Sequence, residues 1–144
     1  MTLSRSFLLI LALLATPSCR NSSVPVEKVD GAVEARSSSG ELLYAREWRK
    51  GLPHGTWREY RKGKLVSEGH YLDGVRCGAW RTWYEDGRLK SEGSYLNGVE
   101  HGPWLAWHEN GQPSFEAHYL KGNRFGLMRS WAPDGRLLSR DYFP

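Results

Sequence analysis

Glycines recur in this chain at a fixed interval, and that interval constrains the fold more than any other feature of the sequence. One series, Gly63, Gly87, Gly111 and Gly135, has a constant spacing of 24 residues. A second series, Gly55, Gly78, Gly102 and Gly126, has spacings of 23, 24 and 24 residues. A period of this length is typical of an array of supersecondary units that stack on their neighbours. The spacing therefore predicts a repeat protein.

Each repeat unit has the sequence of a β-hairpin. The clearest unit, Gly78 to Tyr95, is GAWRTWYEDGRLKSEGSY, and it returns from Gly102 to Tyr119 as GPWLAWHENGQPSFEAHY. Asp86-Gly87 at its centre favours a type I′ turn, because both central residues of that turn need φ > 0. The 16 Gly, 7 Trp and 7 Tyr of the chain also favour short strands and turns over helices.

Six glycines are predicted to shape the two kinds of turn in the array. Gly87, Gly111 and Gly135 belong to the turns within units, and Gly74, Gly98 and Gly122 close successive units. The first full unit is one residue short between Trp57 and Gly63, which would move Trp57 or Tyr60 to the opposite face unless a bulge compensates. We expect an all-β, elongated, single-layer antiparallel β-meander of about eight or nine strands over residues 40–144.

Pairing the strands around Asp86-Gly87 assigns the side chains to two faces. This register places Tyr84 opposite Leu89 and Arg81 opposite Glu92. Because side chains alternate along a strand, one face, which we call the first face, carries Trp80, Thr82, Tyr84, Leu89, Ser91, Gly93 and Tyr95. The second face carries Ala79, Arg81, Trp83, Glu85, Arg88, Lys90, Glu92 and Ser94. The first face is expected to form an aromatic ladder in which Gly93 and Ala117 leave room for an indole.

The second face is polar apart from one aromatic column, Tyr60, Trp83, Trp107 and Trp131. A β-bulge could turn these rings into the contact surface between units, because W-x-x-W cannot put both indoles on one face of a regular strand. The alternative is an exposed aromatic column that is available for binding. We take this column, with Arg81 beside it, as the candidate binding face.

The repeated motif resembles a known family. The pattern H-G-x-W-x-x-W/Y-x-x-x-G-x-L-x-x-E-x-x-Y-x-x-G, seen from His101 and more loosely from Cys77, is similar to the MORN repeat in its bacterial variant. The resemblance covers about residues 40–143. The resemblance implies a β-hairpin array. The family includes proteins described as antitoxin-like. The last unit, with Met128, Asp141 and Phe143 in place of the usual Trp, Gly and Tyr, is expected to be a terminal cap.

The N-terminus has the features of an export signal. Arg5 precedes an apolar run from Phe7 to Ala15, which is too short to span a bilayer, and residues 1–18 are interpreted as a signal peptide. Cys19 lies where a bacterial lipoprotein carries its acylated cysteine; the alternative is ordinary cleavage that leaves a free cysteine. Residues 19–39 are then a lipid-anchor cysteine and a flexible tether. This predicts a membrane-anchored protein of the bacterial cell envelope, facing the periplasm or the cell exterior.

The sequence offers little sign of catalysis. His54, Cys77 and His101 occupy equivalent positions, but equivalent positions of adjacent units lie roughly 9.6 Å apart, too far for one metal ion. We therefore predict no catalytic residue, no metal and no cofactor. Export and the mixed charges, net +4, argue against nucleic acid. The leading hypothesis is a non-catalytic envelope scaffold that binds a protein; the alternatives are an antitoxin-like or immunity protein, and binding to polysaccharide or anionic lipid.

Overall fold

The chain forms one open antiparallel β-sheet. The computed structural model describes residues 30–144, and within that range all regular structure is β-strand. The strands are β1 Gly31–Arg36, β2 Leu42–Arg49, β3 Leu52–Arg61, β4 Lys64–Leu72, β5 Val75–Trp83, β6 Leu89–Leu96, β7 Val99–Glu100, β8 Gly102–Trp107, β9 Pro113–Leu120, β10 Asn123–Trp131 and β11 Leu137–Phe143. They follow one another in the sheet in chain order, with the short β7 paired to β6 beside β8. This confirms the predicted single-layer meander.

The sheet has more strands than predicted, partly because it begins earlier in the chain and partly because β7 and β8 are separate strands. Residues 31–36 fall within the predicted tether, yet they form β1 and pair with β2, with Glu34 opposite Ala45. The sheet therefore begins nine residues before the expected boundary at residue 40. The predicted signal peptide, Cys19 and the first part of the tether lie outside the described residues.

Two-residue turns join the strands at one end of the sheet. The turns are Lys50-Gly51, Asp73-Gly74, Asn97-Gly98 and Lys121-Gly122, and both residues of each have positive φ. Positive φ at both central positions defines the type I′ turn, whose twist matches that of the strands it joins. The predicted role of Gly74, Gly98 and Gly122 is thus supported by their backbone conformation.

The turn at Asp86-Gly87 is not the predicted type I′ turn. Gly87 has φ of 89°, but Asp86 is not among the residues with positive φ. The Gly87 N–H donates to Tyr84 O at 2.9 Å, and the Tyr84 N–H donates to Arg88 O at 2.9 Å. These bonds define a type I turn followed by a left-handed glycine, the arrangement that produces a G1 bulge. Asp86 Oδ1 accepts the Arg88 N–H at 2.9 Å, which stabilises this loop.

The bulge that follows this loop changes which side chains share a face. Arg81 pairs with Glu92 as predicted, but Trp83 rather than Tyr84 lies opposite Leu89. Cross-strand partners share a face, so Leu89 lies on the second face with Trp83, and the prediction that placed it on the first face was wrong. Lys90 lies on the first face rather than on the predicted second face, and its Nζ is 5.4 Å from the centroid of the Tyr84 ring.

The short first unit absorbs its missing residue in a turn. Lys62 and Gly63 both have positive φ, so that a two-residue type I′ turn replaces the three-residue loop of the later units. Tyr60 pairs with Leu65 across a bulge, as Trp83 pairs with Leu89. Trp57 and Tyr60 consequently keep the positions of Trp80 and Trp83.

The first face carries the predicted aromatic ladder. Its rings, in order along the sheet, are Trp48, Trp57, Tyr71, Trp80, Tyr95, Trp104 and Tyr119. Successive ring centroids lie between 5.0 and 6.2 Å apart, and the last four contacts are edge-to-face. This geometry is favourable for aromatic pairs. The rings supply much of the packing between units, since Ala117 is the only hydrophobic residue that is fully buried within residues 30–144.

The strand register shifts between units, and this shift lets each indole lie over a small residue. Glu68 pairs with Arg81 and His70 pairs with Cys77, which leaves Gly69 opposite residues 78–80. A Cβ atom on Gly69 would overlap the Trp80 indole. Gly78, with φ of 66°, is the first of the three residues, 78–80, that have no paired residue on β4. The small residue therefore accommodates the indole of the following unit rather than that of its own hairpin.

Candidate functional site

A row of charged side chains crosses the middle of the second face. Successive cross-strand pairs run through Glu34, Ala45, Arg58, Glu68, Arg81, Glu92, Leu105, Glu116, Arg129 and Arg140. Opposite charges alternate from Arg58 to Glu92 and again between Glu116 and Arg129, and we call the whole series the charge row. Leu105 interrupts it between two glutamates, and Arg129 lies opposite Arg140.

Ion pairs join neighbours in the charge row. Arg58 contacts Glu68 at 3.2 Å, Arg81 contacts Glu92 at 3.3 Å, and Arg129 contacts Glu116 at 3.7 Å. Arg81, predicted to belong to the binding face, thus has a carboxylate partner within the sheet. Exposed pairs of this kind contribute about 0.2–1 kcal/mol each.

The predicted aromatic column lies beside the charge row, near the loops within units. Its members, Tyr60, Trp83, Trp107 and Trp131, face Leu65, Leu89, Pro113 and Leu137 across the bulges. All four aromatic side chains are half-buried. The bulge considered in the sequence analysis is therefore present, but the strand register keeps Trp83 on the second face, where Leu89 lies opposite it. Its role in binding stays a prediction.

Side chains of the loops within units link each unit to the next. Tyr84 Oη donates to Trp107 O at 2.7 Å, and His108 Nε2 lies 2.8 Å from Trp131 O one repeat later. Asn110 Nδ2 donates to Pro133 O at 2.6 Å. These contacts reach the backbone carbonyls of Trp107, Trp131 and Pro133 in the following unit.

An exposed aliphatic ridge lies at the opposite end of the second face. Its members are Leu52, Leu72, Val75, Leu96, Val99 and Leu120, with exposures of 47, 56, 42, 47, 40 and 50%. Leu72, Leu96 and Leu120 each follow a tyrosine of the ladder, so the alternation of side chains directs them to the second face. Val75 and Val99 pair with Leu72 and Leu96 across the type I′ turns. We call these six residues the aliphatic ridge.

The turns hold the ridge in line. Gly98 N–H donates to Arg76 O at 3.0 Å, and Gly122 N–H donates to Glu100 O at 2.8 Å, so each turn is bonded to the preceding unit. A Cβ atom on Gly98 would lie 3.1 Å from Val75 Cγ1. The ridge was not predicted from the sequence, although apolar residues recur beside the turn glycines at intervals of 24, as Leu72 and Leu96 do.

Charged groups surround the turn at Asp73. Arg49 contacts Asp73 Oδ1 at 2.7 Å, and His54 Nδ1 lies 3.3 Å from the same oxygen. The Arg49 hydrogen bond is the main cause that lowers the pKa of Asp73 below its usual value. Likewise, the Lys62 ammonium 3.0 Å from Glu85 lowers the pKa of that carboxyl.

Other features of the described range are less suited to a site. An open groove of about 620 Å³ is lined by residues that include Glu59, Ser67, Thr82, Trp83, Tyr84 and Lys90. Across residues 30–144, His, Cys, Asp and Glu side chains form no group of three that could hold a metal ion. The same residues contain no helix long and apolar enough to cross a bilayer.

Comparison with known proteins gives one repeat family. Residues 76–97 and 100–121 match the sequence model of the MORN repeat variant. These matches cover the two units that contribute Trp80, Tyr95, Trp104 and Tyr119 to the ladder. MORN repeats of this kind indicate a binding module built from repeats. No curated protein sequence matches the chain.

Three solved structures are similar to part of this chain at low identity. TarM is 13% identical with a TM-score of 0.41, over 69% of this chain and 20% of TarM. A mutant of S. aureus TarM, in complex with fondaparinux, alpha-GlcNAc-glycerol and UDP, is 11% identical with a TM-score of 0.40, over 69% and 22%. The GtfA/B complex bound to UDP and GlcNAc is 16% identical with a TM-score of 0.29, over 83% and 25%. The chain thus spans a quarter or less of each of these structures.

Proposed function

We propose that this protein is a non-catalytic binding module of the bacterial cell envelope, which holds a protein partner on the second face of its sheet. The observation that carries the proposal is the aliphatic ridge, whose six side chains are each at least 40% exposed and lie in line along one end of the face. Apolar patches that are contiguous, exposed and rimmed by polar residues mark interaction sites.

The charges beside the ridge favour a protein over an anionic lipid surface. A lipid headgroup layer attracts clustered Lys and Arg, whereas the arginines of the charge row alternate with glutamates at 3.2–3.7 Å. An apolar stripe on a face that also carries paired charges, with the His70–Cys77 row between them, matches the usual anatomy of a protein interface. In this arrangement the ridge supplies the buried centre and the charge row sets the register.

The same ion pairs support a non-catalytic role. Glu68, Glu92 and Glu116 recur at one position of each unit, as a series of catalytic carboxylates would, but each has an arginine within 4 Å. Partly exposed carboxylates that pair with an arginine on the neighbouring strand stabilise the sheet. The recurrence therefore has a structural explanation.

The envelope location rests on the N-terminal sequence. Replacement Cys19→Ala should abolish processing by the lipoprotein signal peptidase and release the protein from the membrane fraction. The inhibitor globomycin should cause the unprocessed chain to accumulate. Membrane association and processing that are unchanged in the Cys19→Ala variant would show that Cys19 is not the anchor.

A capture experiment tests the binding face. The tagged full chain is expressed in its host, the envelope is solubilised, and the captured proteins are quantified for the wild type and for Leu72→Ser/Leu96→Ser. Leu43→Ser/Leu138→Ser is the matched control, because these leucines are 41% and 57% exposed but lie off the ridge. We expect the partner to be lost from the ridge variant and retained by the control.

A second variant separates the ridge from the aromatic column. Trp83→Ala/Trp107→Ala removes two members of the column and leaves the ridge intact. Loss of the partner in this variant alone would show that the column, and not the ridge, binds the partner. Equal recovery in the wild type and the ridge variant would refute the ridge as the binding surface.

A further inference from the structure

The charge row ends in opposite charges at the two free edges of the sheet. It begins at Glu34 on β1 and finishes at Arg140 on β11. Within residues 30–144, β1 and β11 each pair with a single strand, so each has one open edge. We propose that the β11 edge of one copy pairs antiparallel with the β1 edge of a second copy, with Arg140 opposite Glu34, so that the sheet continues from chain to chain.

The strand directions allow this pairing without a break in the meander. The main path contains ten strands, and each runs antiparallel to its neighbour. The last strand therefore runs opposite to the first, and β1 of a second copy that is displaced along the sheet continues the alternation. The two copies then share both faces, because Glu34 and Arg140 belong to the same row.

The hydrogen-bonding pattern is also compatible at the two edges. In an antiparallel sheet a residue directs its N–H and C=O to the same neighbour, so hydrogen-bonded and non-hydrogen-bonded pairs alternate along a row. The row contains nine pairs, and the first and last are therefore of the same kind. At the open edges, Glu34 and Arg140 can therefore each form only the kind of pair that they do not form within the sheet. Because this kind is the same for both residues, they can pair with each other.

The side chains at the edges fit this register. Arg140 lies opposite Arg129, a like-charged pair that is unfavourable, and no carboxylate of residues 30–144 lies within 4.0 Å of it. Glu34 is 55% exposed and contacts Arg36 on its own strand at 3.2 Å. The same register sets Tyr142, which is 74% exposed, opposite the small Ala32. Glu34 of the second copy would place a negative charge opposite Arg140.

A contact between two different edges does not close on itself. Each added copy leaves a new β11 edge free, so association of this kind produces linear chains whose length depends on protein concentration. The inference is independent of the proposed partner binding, because it uses the edges and not the ridge.

A charge exchange tests the pairing. The full chain is studied by sedimentation velocity over a wide range of concentration, as wild type, Arg140→Glu, Glu34→Arg and the double variant. We expect the average mass of the wild type to rise with concentration, each single variant to associate about tenfold more weakly, and the double variant to recover. A wild type that stays monomeric, or a double variant as weak as the single ones, would overturn the proposal.

Disulfide crosslinking tests the register itself. In full chains with Cys19→Ser and Cys77→Ser, Ser139→Cys on one copy should crosslink to Ala35→Cys on another, because these positions are opposite when Arg140 faces Glu34. Leu138→Cys in place of Ser139→Cys should crosslink poorly. Crosslinks that form as readily between two Ser139→Cys chains would show β11–β11 pairing and contradict the proposal.

Discussion

The indole of Trp104 lies directly over Gly93, on the neighbouring strand of the sheet. A Cβ atom on Gly93 would overlap Trp104 Cδ2 and Cε2, and the next unit has Ala117 and Met128 at the equivalent positions. The pairing of a small residue with a large ring is therefore a contact between units, which sets how closely they stack.

Replacing Gly93 should weaken this contact strongly. We expect Gly93→Ala to lower the free energy of unfolding by about 1–3 kcal/mol, because the indole must move from its packed position. Chemical denaturation measures the change. Gly93→Ala/Trp104→Met reproduces the Ala117 and Met128 pair and should be more stable than the sum of its single variants predicts. Strict additivity would show that Gly93 and Trp104 are not coupled.

The turn at Lys62-Gly63 should accept an extra residue. Replacing Lys62-Gly63 with Glu-Asp-Gly would restore the three-residue loop of the later units, and we expect stability to change by less than about 1 kcal/mol. One residue inserted between Arg58 and Glu59 should instead cost several kcal/mol, on the order of a lost core contact, because it moves side chains to the opposite face. Thermal unfolding of the two variants compares them, and equal losses would contradict the assignment of the missing residue to the turn.

Leu105 interrupts the charge row, and an arginine there should complete it. Leu105→Arg places a positive charge between Glu92 and Glu116, and we expect a gain of about 0.5 kcal/mol at low salt. Leu105→Glu should be destabilising by a similar amount. Denaturation at low and high salt gives the test, since screening should reduce the difference between the two variants. A difference that is independent of salt would refute a charge effect.

The Asp73 carboxylate should stabilise the fold in a pH-dependent way. Its pKa is lowered, chiefly by the Arg49 hydrogen bond, so its contribution is complete above the ordinary aspartate value of about 3.9 and is lost as pH falls through the lowered pKa. Asp73→Asn keeps a turn residue that the chain uses at Asn97. We expect the variant to unfold more easily than wild type at neutral pH and to match it in strong acid.

A second replacement checks the cause of this pH dependence. Arg49→Gln removes the partner of Asp73, so the further change Asp73→Asn should have little effect on stability at neutral pH in that background. A neutral-pH effect of Asp73→Asn that persists in the Arg49→Gln background would assign the stabilisation to another group. Thermal midpoints of the wild type, the two single variants and the double variant over the pH range provide the comparison.

Much of the fold could be predicted from the sequence because the repeats constrain one another. The interval of 24 residues and the alternation of Trp80, Arg81 and Thr82 were sufficient for the meander, the ladder and the Arg81–Glu92 pair. The type of the Asp86-Gly87 turn was not predictable from that pair of residues alone. Asp-Gly suits both a type I′ turn and the end of a type I turn with a G1 bulge. The three-residue loop, together with a separate strand bulge at Lys90, then exchanged the faces of Leu89 and Lys90.

Two other features depended on neighbours that a local pattern does not show. β1 is short and lacks a sustained apolar period, and it forms a strand through its pairing with β2. The aliphatic ridge is contributed by residues on either side of several turns, so it becomes a surface only when the units are side by side. Leu72 and Leu96 alone have the appearance of ordinary residues beside a turn.

Photocrosslinking in the cell tests the binding face most directly. A benzophenone amino acid replaces Leu96 on the ridge or, in a matched variant, Lys90 on the first face, and adducts are detected after irradiation of intact cells. A discrete protein adduct from position 96, with none from position 90, is the expected result. An adduct from position 90 with none from position 96 would contradict the assignment of binding to the ridge.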